Sequence, residues 1–182
     1  MNEVIYPTVE GMASEGHPYT GFLYAGLMID ETGTPKVIEY NCRFGDPETQ
    51  PMMLRLQSDL VELIEAANRV ELDKTTIEFD PRAAVGVVLA AKGYPGDYPK
   101  GDAISGLKVD YPAGEKVFHA GTKQSGNDVV TAGGRVLCAT ALGNTVTQAQ
   151  QRAYELVKQI SWDGMEYRTD IAYRAIAREQ QP

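Results

Sequence analysis

The stretch 37–50, Val-Ile-Glu-Tyr-Asn-Cys-Arg-Phe-Gly-Asp-Pro-Glu-Thr-Gln, constrains the fold of this chain more than any other. Its first residues alternate along a predicted strand, which places Val37, Glu39 and Asn41 on one face. A Gly-Asp-Pro turn follows, and Pro51 suits the first turn of a helix. A strand, a tight loop and a helix start therefore predict a place where oxygen ligands and an anion lie side by side.

The composition narrows the class of protein. The chain has 182 residues, of which 43% are hydrophobic and 23% charged, enough for one large domain or two small ones. The net charge of −8 with scattered Lys and Arg argues against a nucleic-acid partner. Cys42 and Cys138 stand far apart and indicate no disulfide scaffold. The sequence contains no membrane-length apolar run and its N-terminus is not a signal peptide, so we expect a cytoplasmic protein without a membrane partner.

The periodicity predicts an α+β fold with a domain boundary between residues 80 and 81. We expect domain 1–80 to hold an early helix near residues 4–12, a β-hairpin and a surface helix at 51–68. The first hairpin strand, 21–29, is nearly all apolar, which predicts that both of its faces are covered. We expect domain 81–182 to be small and β-rich. Its predicted elements are strands at 83–91, 116–122 and 134–142, a loop at 92–101, a helix capped by Thr145 and Gln148, and a short helix within 168–178.

Glu39 and Asn41 are the candidate metal ligands. Mg²⁺ prefers hard oxygen ligands and is usually held by one or two carboxylates together with substrate phosphates. A carboxylate and an amide on one face of a strand meet that requirement. The alternative is a half-exposed strand whose polar side chains simply face water.

Arg43, Gly45 and Pro47 are the candidate anion-binding residues. A guanidinium binds a carboxylate or phosphate through two parallel hydrogen bonds, and a helix start exposes backbone N–H groups to an anion. The alternative for Arg43 is a surface salt bridge to Asp46 or Glu48, and Gly45 with Pro47 is also explained by turn chemistry alone.

The remaining candidates favour structural roles. His17 and His119 are the only histidines, and neither neighbours a Ser or Cys that would make a nucleophile–base pair. The 93–101 loop is either a lid or, more commonly for such a segment, a surface connection.

Taken together, these segments resemble phosphoribosylamine–glycine ligases, also called glycinamide ribonucleotide synthetases, a family of the ATP-grasp superfamily. The Arg-Phe-Gly-Asp-Pro-Glu-Thr-Gln octet is the most specific part, and the resemblance covers essentially all of the chain. It also rests on Tyr19-Thr-Gly-Phe-Leu-Tyr-Ala-Gly-Leu-Met28, Gly86-Val-Val, Gly93-Tyr-Pro-Gly-Asp97, Val117-Phe-His-Ala-Gly-Thr-Lys123 and Gly134-Arg-Val-Leu137.

The resemblance implies a two-step ligation in purine biosynthesis. ATP phosphorylates the glycine carboxylate, and the amine of 5-phosphoribosylamine then attacks the glycyl phosphate, giving glycinamide ribonucleotide, ADP and phosphate. It implies that Glu39 and Asn41 bind Mg²⁺ or Mn²⁺ on the ATP phosphates. It also implies that Arg43, Gly45 and Pro47 bind glycine, with Arg43 acting in catalysis.

The family's chains are more than twice this length, so the resemblance implies a C-terminal fragment. We expect this fragment to be inactive alone and to need the missing N-terminal part of the enzyme as its partner. Two alternatives stay open: another ATP-grasp carboxylate–amine ligase, and a non-catalytic module that acts with a partner chain.

Overall fold

A computed structural model describes residues 1–181, which fall into two compact units. The first unit comprises residues 1–46 and 57–78, and the second comprises residues 47–56 and the chain from 79 onward. The helices are α1 (Ile5–Ser14), α2 (Thr49–Arg55), α3 (Leu60–Asn68), α4 (Val146–Val157) and α5 (Tyr173–Glu179). The strands are β1 (Tyr24–Ile29), β2 (Pro35–Asn41), β3 (Ala83–Ala90), β4 (Glu115–His119), β5 (Thr122–Ser125), β6 (Asp128–Thr131) and β7 (Arg135–Gly143).

The hairpin of the first unit is confirmed, but its register changes one predicted face. Gly26 pairs with Glu39, whereas the next residue of β1, Leu27, pairs with Val37. Ile38 is therefore an extra residue in β2, a β-bulge. Neighbouring β1 residues point to opposite faces, so Val37 lies on the face opposite Glu39. The prediction that Val37 shares a face with Glu39 and Asn41 is therefore wrong.

The prediction that both faces of β1 are covered is also wrong for the described residues. The hairpin is a sheet of two strands. Its apolar side chains stay between 41% and 64% exposed: Leu27, Met28, Ile29, Val37, Ile38 and Tyr40. A two-stranded ribbon has few neighbours with which to bury such side chains, so this surface is unusually apolar.

The predicted helix at 51–68 is two helices. Leu56 leaves the helical conformation at the end of α2, with φ −65° and ψ 124°. Asp59 then begins α3, because its side chain accepts hydrogen bonds from the backbone N–H groups of Val61, at 2.7 Å, and Glu62. An Asp at this position caps a new helix more readily than it continues an old one. The residues predicted to form one helix at 51–68 therefore belong to two separate units.

A three-stranded antiparallel sheet in the order β3–β7–β4 forms the centre of the second unit. Helix α4 packs on it through its buried face, which holds Ala149, Ala153, Leu156 and Val157. The fully buried core residues include Val87, Leu89, Val136, Ala139, Ala153 and Val157. Gly143 permits the close approach of α4, because a Cβ there would collide with the backbone of Ala149. Thr145 caps α4, as predicted, by accepting a hydrogen bond from the backbone N–H of Gln148 at 3.1 Å.

The strand predicted at 116–122 is wrong in its second half. β4 ends at His119, and the chain then leaves the three-stranded sheet and forms a separate hairpin of β5 and β6. Gly121 marks the crossing, since its backbone lies so close to Gly133 that a Cβ would collide there. Among residues 1–181, no helix is long and apolar enough to cross a membrane.

Candidate substrate and metal site

Glu39 and Asn41 lie on one face of β2, as the alternation predicts. They pair with Gly26 and Tyr24, which are also two residues apart. The Glu39 side chain lies across Gly26, where an added Cβ would stand 3.1 Å from Glu39 Cγ. The sequence analysis missed the role of Gly26, although a glycine inside a strand often marks a close approach of this kind.

The two side chains differ in burial. Glu39 is exposed, whereas Asn41 is half-buried and its Nδ2 atom is buried without a hydrogen-bond partner. A buried polar atom without a partner is uncommon in a folded protein and is found at functional sites. Asn41 also lines a surface cavity of about 280 Å³, together with Thr8, Val9, Met12, Tyr19, Leu23, Tyr40 and Cys42.

These residues fit part of a metal site. Within residues 1–181, no group of three or more His, Cys, Asp or Glu side chains could hold a metal ion by itself. One carboxylate and one amide oxygen on a common face suit Mg²⁺ only if phosphate oxygens and water supply the other ligands. The donor set therefore fits a metal carried by a phosphorylated substrate better than a permanently bound ion.

The loop after β2 holds Arg43 close to its own backbone. Arg43 Nη1 donates a hydrogen bond to the carbonyl of Phe44 at 2.9 Å, and its side chain is exposed. The Phe44 ring packs against Phe22 with centroids 4.1 Å apart, which fixes the loop against the chain entering β1. Gly45 is buried in the first unit, whereas Pro47 belongs to the second.

The histidines occupy structural positions. His119 Nδ1 lies 3.0 Å from the Thr122 hydroxyl, at the crossing from β4 to β5. The backbone N–H of His17 donates to the carbonyl of Met12 at 2.8 Å and so helps to end α1. The ring contact of His119 favours the structural interpretation, and the structural role of the His17 ring stays a prediction.

The 92–101 loop is fastened to the body of the second unit. Arg135 Nε donates to the Tyr94 hydroxyl at 2.9 Å, and Gly101 N–H donates to the carbonyl of Thr131 at 2.8 Å. Gly134 lies so close to the rings of Tyr94 and Tyr98 that any side chain there would collide with them. These contacts favour a surface connection over a lid.

The folds of solved structures first define the class of protein. The chain is similar to phosphoribosylamine–glycine ligase from Thermotoga maritima, with a TM-score of 0.75 and 37% identity over 88% of this chain and 39% of that one. It also shares a fold with the biotin carboxylase domain of the Hydrogenobacter thermophilus 2-oxoglutarate carboxylase, at a TM-score of 0.61 and 17% identity. With the family models that match the chain, these folds define the class as the end of an ATP-grasp domain followed by a C-terminal domain.

The family follows from the sequence matches. Residues 84–174 match the model of the phosphoribosylglycinamide synthetase C domain, and residues 1–49 match that of the ATP-grasp (A) domain of the same enzymes. The chain belongs to the phosphoribosylglycinamide synthetase family. It is 71% identical over 181 residues to phosphoribosylamine–glycine ligase of Vibrio vulnificus and 64% identical to that of Escherichia coli. It spans 42% of the length of both relatives.

Proposed function

We propose that this chain supplies the C-terminal part of an ATP-dependent ligase that joins glycine to 5-phosphoribosylamine. The carrying observation is the 71% identity to a phosphoribosylamine–glycine ligase across the whole chain. The products would be glycinamide ribonucleotide, ADP and phosphate, a step of purine biosynthesis in the cytoplasm. The chain would work only together with the rest of the ligase.

Glu39 and Asn41 would hold the ATP phosphates through Mg²⁺ or Mn²⁺. The metal would neutralise the charge that develops on the transferred phosphoryl group. The chain's own contribution is geometric, because the paired strands set the spacing of the two side chains and Gly26 leaves room for Glu39. Orienting these groups beforehand lowers the cost of reaching the reactive arrangement.

Arg43, Gly45 and Pro47 would bind glycine. The exposed Arg43 guanidinium would pair with the glycine carboxylate and reduce its repulsion from the γ-phosphate. To do so it would exchange its hydrogen bond to the neighbouring carbonyl of Phe44 for a charge-assisted one. Gly45 and Pro47 would shape the loop around the amino acid.

Two alternative functions can be separated from this one by experiment. Another ATP-grasp carboxylate–amine ligase would use the same metal pair with a different substrate, and assays with other amino acids separate it from the first proposal. A non-catalytic module would use the exposed apolar hairpin to bind a partner chain.

The test is phosphate release from ATP with glycine, 5-phosphoribosylamine and Mg²⁺. This chain is assayed alone and after mixing with the N-terminal part of the Vibrio vulnificus ligase. We expect turnover only in the mixture. Turnover with another amino acid instead of glycine would favour the second ligase, and a folded complex without any turnover would favour the module.

Glu39→Gln tests the metal role in the same mixture. It removes the carboxylate charge with little change of shape, so we expect turnover to fall by about 100-fold or more. Glu31→Gln, the same exchange in the exposed turn between β1 and β2, is the control and should retain full activity. Equal turnover in both variants would contradict a role for Glu39 at the metal.

A further inference from the structure

Helix α2 begins at residue 49, where the match to the ATP-grasp (A) domain model ends, and it packs on the sheet of the second unit. Its first turn meets β3 at Gly86. A Cβ on Gly86 would lie 3.1 Å from Pro51 Cγ and 3.0 Å from Cys138 Sγ. These distances are tighter than ordinary Cβ contacts, so the glycine eases the approach of Pro51 to the sheet.

The last turn of α2 is fastened by Arg55. Its Nε donates to the Asp80 carbonyl at 2.9 Å, and its own carbonyl accepts from the Asp80 N–H at 2.7 Å. Its guanidinium lies 6.0 Å from the centroid of the Phe79 ring. Leu56 and Phe79 form an isolated antiparallel bridge beside these contacts.

We infer that the second unit positions Pro47, the last residue of the predicted glycine loop, by holding α2 at both ends, and that Arg55 is the positioning residue. Pro47 begins the 47–56 segment and stands two residues before α2. A short connection to a fixed helix restricts the positions that Pro47 can take. The inference rests on the proposed function only for what Pro47 binds.

Arg55 would act without touching substrate. A loop held close to its productive geometry needs less ordering when the ligand arrives, so weaker anchoring should raise the KM for glycine more than it lowers kcat. A residue needed only for overall stability would instead lower the amount of folded enzyme and leave both constants of the remainder unchanged.

Hydrogen–deuterium exchange on the 182-residue chain tests the anchoring directly. In Arg55→Ala we expect amides of residues 43–55 to exchange about tenfold faster or more, with β7 unchanged, since only a local contact is lost. Arg55→Lys keeps the charge beside Phe79 but loses the Nε donor to Asp80, so its exchange should lie between that of the wild type and that of Arg55→Ala. Arg174→Ala removes an exposed arginine of α5 and serves as the control.

Unchanged exchange at 43–55 in a folded Arg55→Ala chain would overturn the anchoring. Arg55→Ala mixed with the N-terminal part of the Vibrio vulnificus ligase should show a glycine KM about tenfold higher than the wild type, with the ATP KM within about twofold. Equal increases in the KM values for glycine and ATP would overturn the positioning role, as would a fall in kcat with both KM values unchanged. Absence of turnover in the wild-type mixture would contradict the proposed function, while the exchange result would still decide the anchoring.

Discussion

The pKa of the Asp80 carboxyl is lowered by its hydrogen bonds to Arg82. Arg82 donates to it from Nη2 at 2.6 Å, from Nε at 2.9 Å and from its backbone N–H at 2.9 Å. These hydrogen bonds lower the pKa of Asp80 from 3.8 to about 2. Asp80 also holds Arg55 through its backbone, whose carbonyl accepts from Arg55 Nε and whose N–H donates to the Arg55 carbonyl.

The lowered pKa of Asp80 predicts a pH dependence of stability. Because the folded pKa lies below the unfolded value, the contribution of Asp80 is fully present above about pH 4 and is lost as the pH falls towards 2. Urea unfolding at pH 6, 4, 3 and 2 should show a gap between wild type and Asp80→Asn that closes over this interval. Asp163→Asn, at an exposed loop carboxylate, should show no such gap. A gap at pH 2 as large as the gap at pH 6 would contradict the assignment.

At the residue scale, the sequence predicts the candidate ligands but not all of their surroundings. The alternation alone places Glu39 and Asn41 on one face, because two residues return a strand to the same side. It places Val37 wrongly, because a β-bulge depends on the register of the partner strand and leaves no local signal in β2. The roles of Glu39, Asn41, Arg43, Gly45 and Pro47 stay predictions.

At the element scale, the N-terminus of α4 is held by a residue far along the chain. Glu179 in α5 accepts hydrogen bonds from the backbone N–H groups of Val146, at 2.7 Å, and Thr147, at 3.1 Å, and from the Thr147 hydroxyl at 2.9 Å. These bonds lower the pKa of Glu179. A carboxylate here satisfies free N–H groups and complements the positive end of the helix dipole.

Removal of this carboxylate should destabilise the contact between α4 and α5. We expect Glu179→Ala to lower the Tm by roughly 2–4 °C, the shift typical of losing one helix cap in a chain of this size. Glu155→Ala, on the exposed side of α4, is the matched control and should change the Tm less. Equal shifts in differential scanning calorimetry would contradict the capping role.

The elements that the sequence predicts best are those whose local pattern matches their environment. Strands β3 and β7 are short apolar runs buried in the sheet, and α4 has a cap and one apolar stripe. The prediction of one helix at 51–68 is wrong because the apolar spacing continues through the break between α2 and α3. Only the cap at Asp59 indicates this break. The sequence analysis missed the β5–β6 hairpin because its polar residues resemble a turn. The close approach of Gly121 and Gly133 stands at the base of this hairpin.

At the scale of the whole molecule, the apolar hairpin β1–β2 predicts self-association. We expect light scattering to show assembly of the isolated chain that increases with concentration and decreases when the N-terminal part of the ligase is added. Met28→Lys with Ile38→Lys should reduce it, because these side chains are 59% and 64% exposed. Val109→Lys changes an apolar residue that is 98% exposed in the second unit and should have no effect. A monomer at every concentration would contradict this prediction.

The boundary predicted between residues 80 and 81 concerns the domains of the family and stays a prediction. The compact units follow a different rule, since residues 47–56 belong with the chain from 79 onward. The position of residues 47–56 in the sequence could not reveal their unit, because the unit depends on the surface against which α2 packs. Gly86 and the Asp80 backbone provide that surface.

The packing of α2 bears on how such enzymes can be recombined. A crossover placed at residue 81 would take α2 from one parent and its supporting strands, β3 and β7, from another. The graft would then depend on whether the second parent has a glycine where Gly86 stands, since a larger residue there would crowd Pro51 and Cys138. Exchanging residues 47–56 together with everything from 79 onward would keep both sides of this contact from one parent, and such chimeras should tolerate more distant partners.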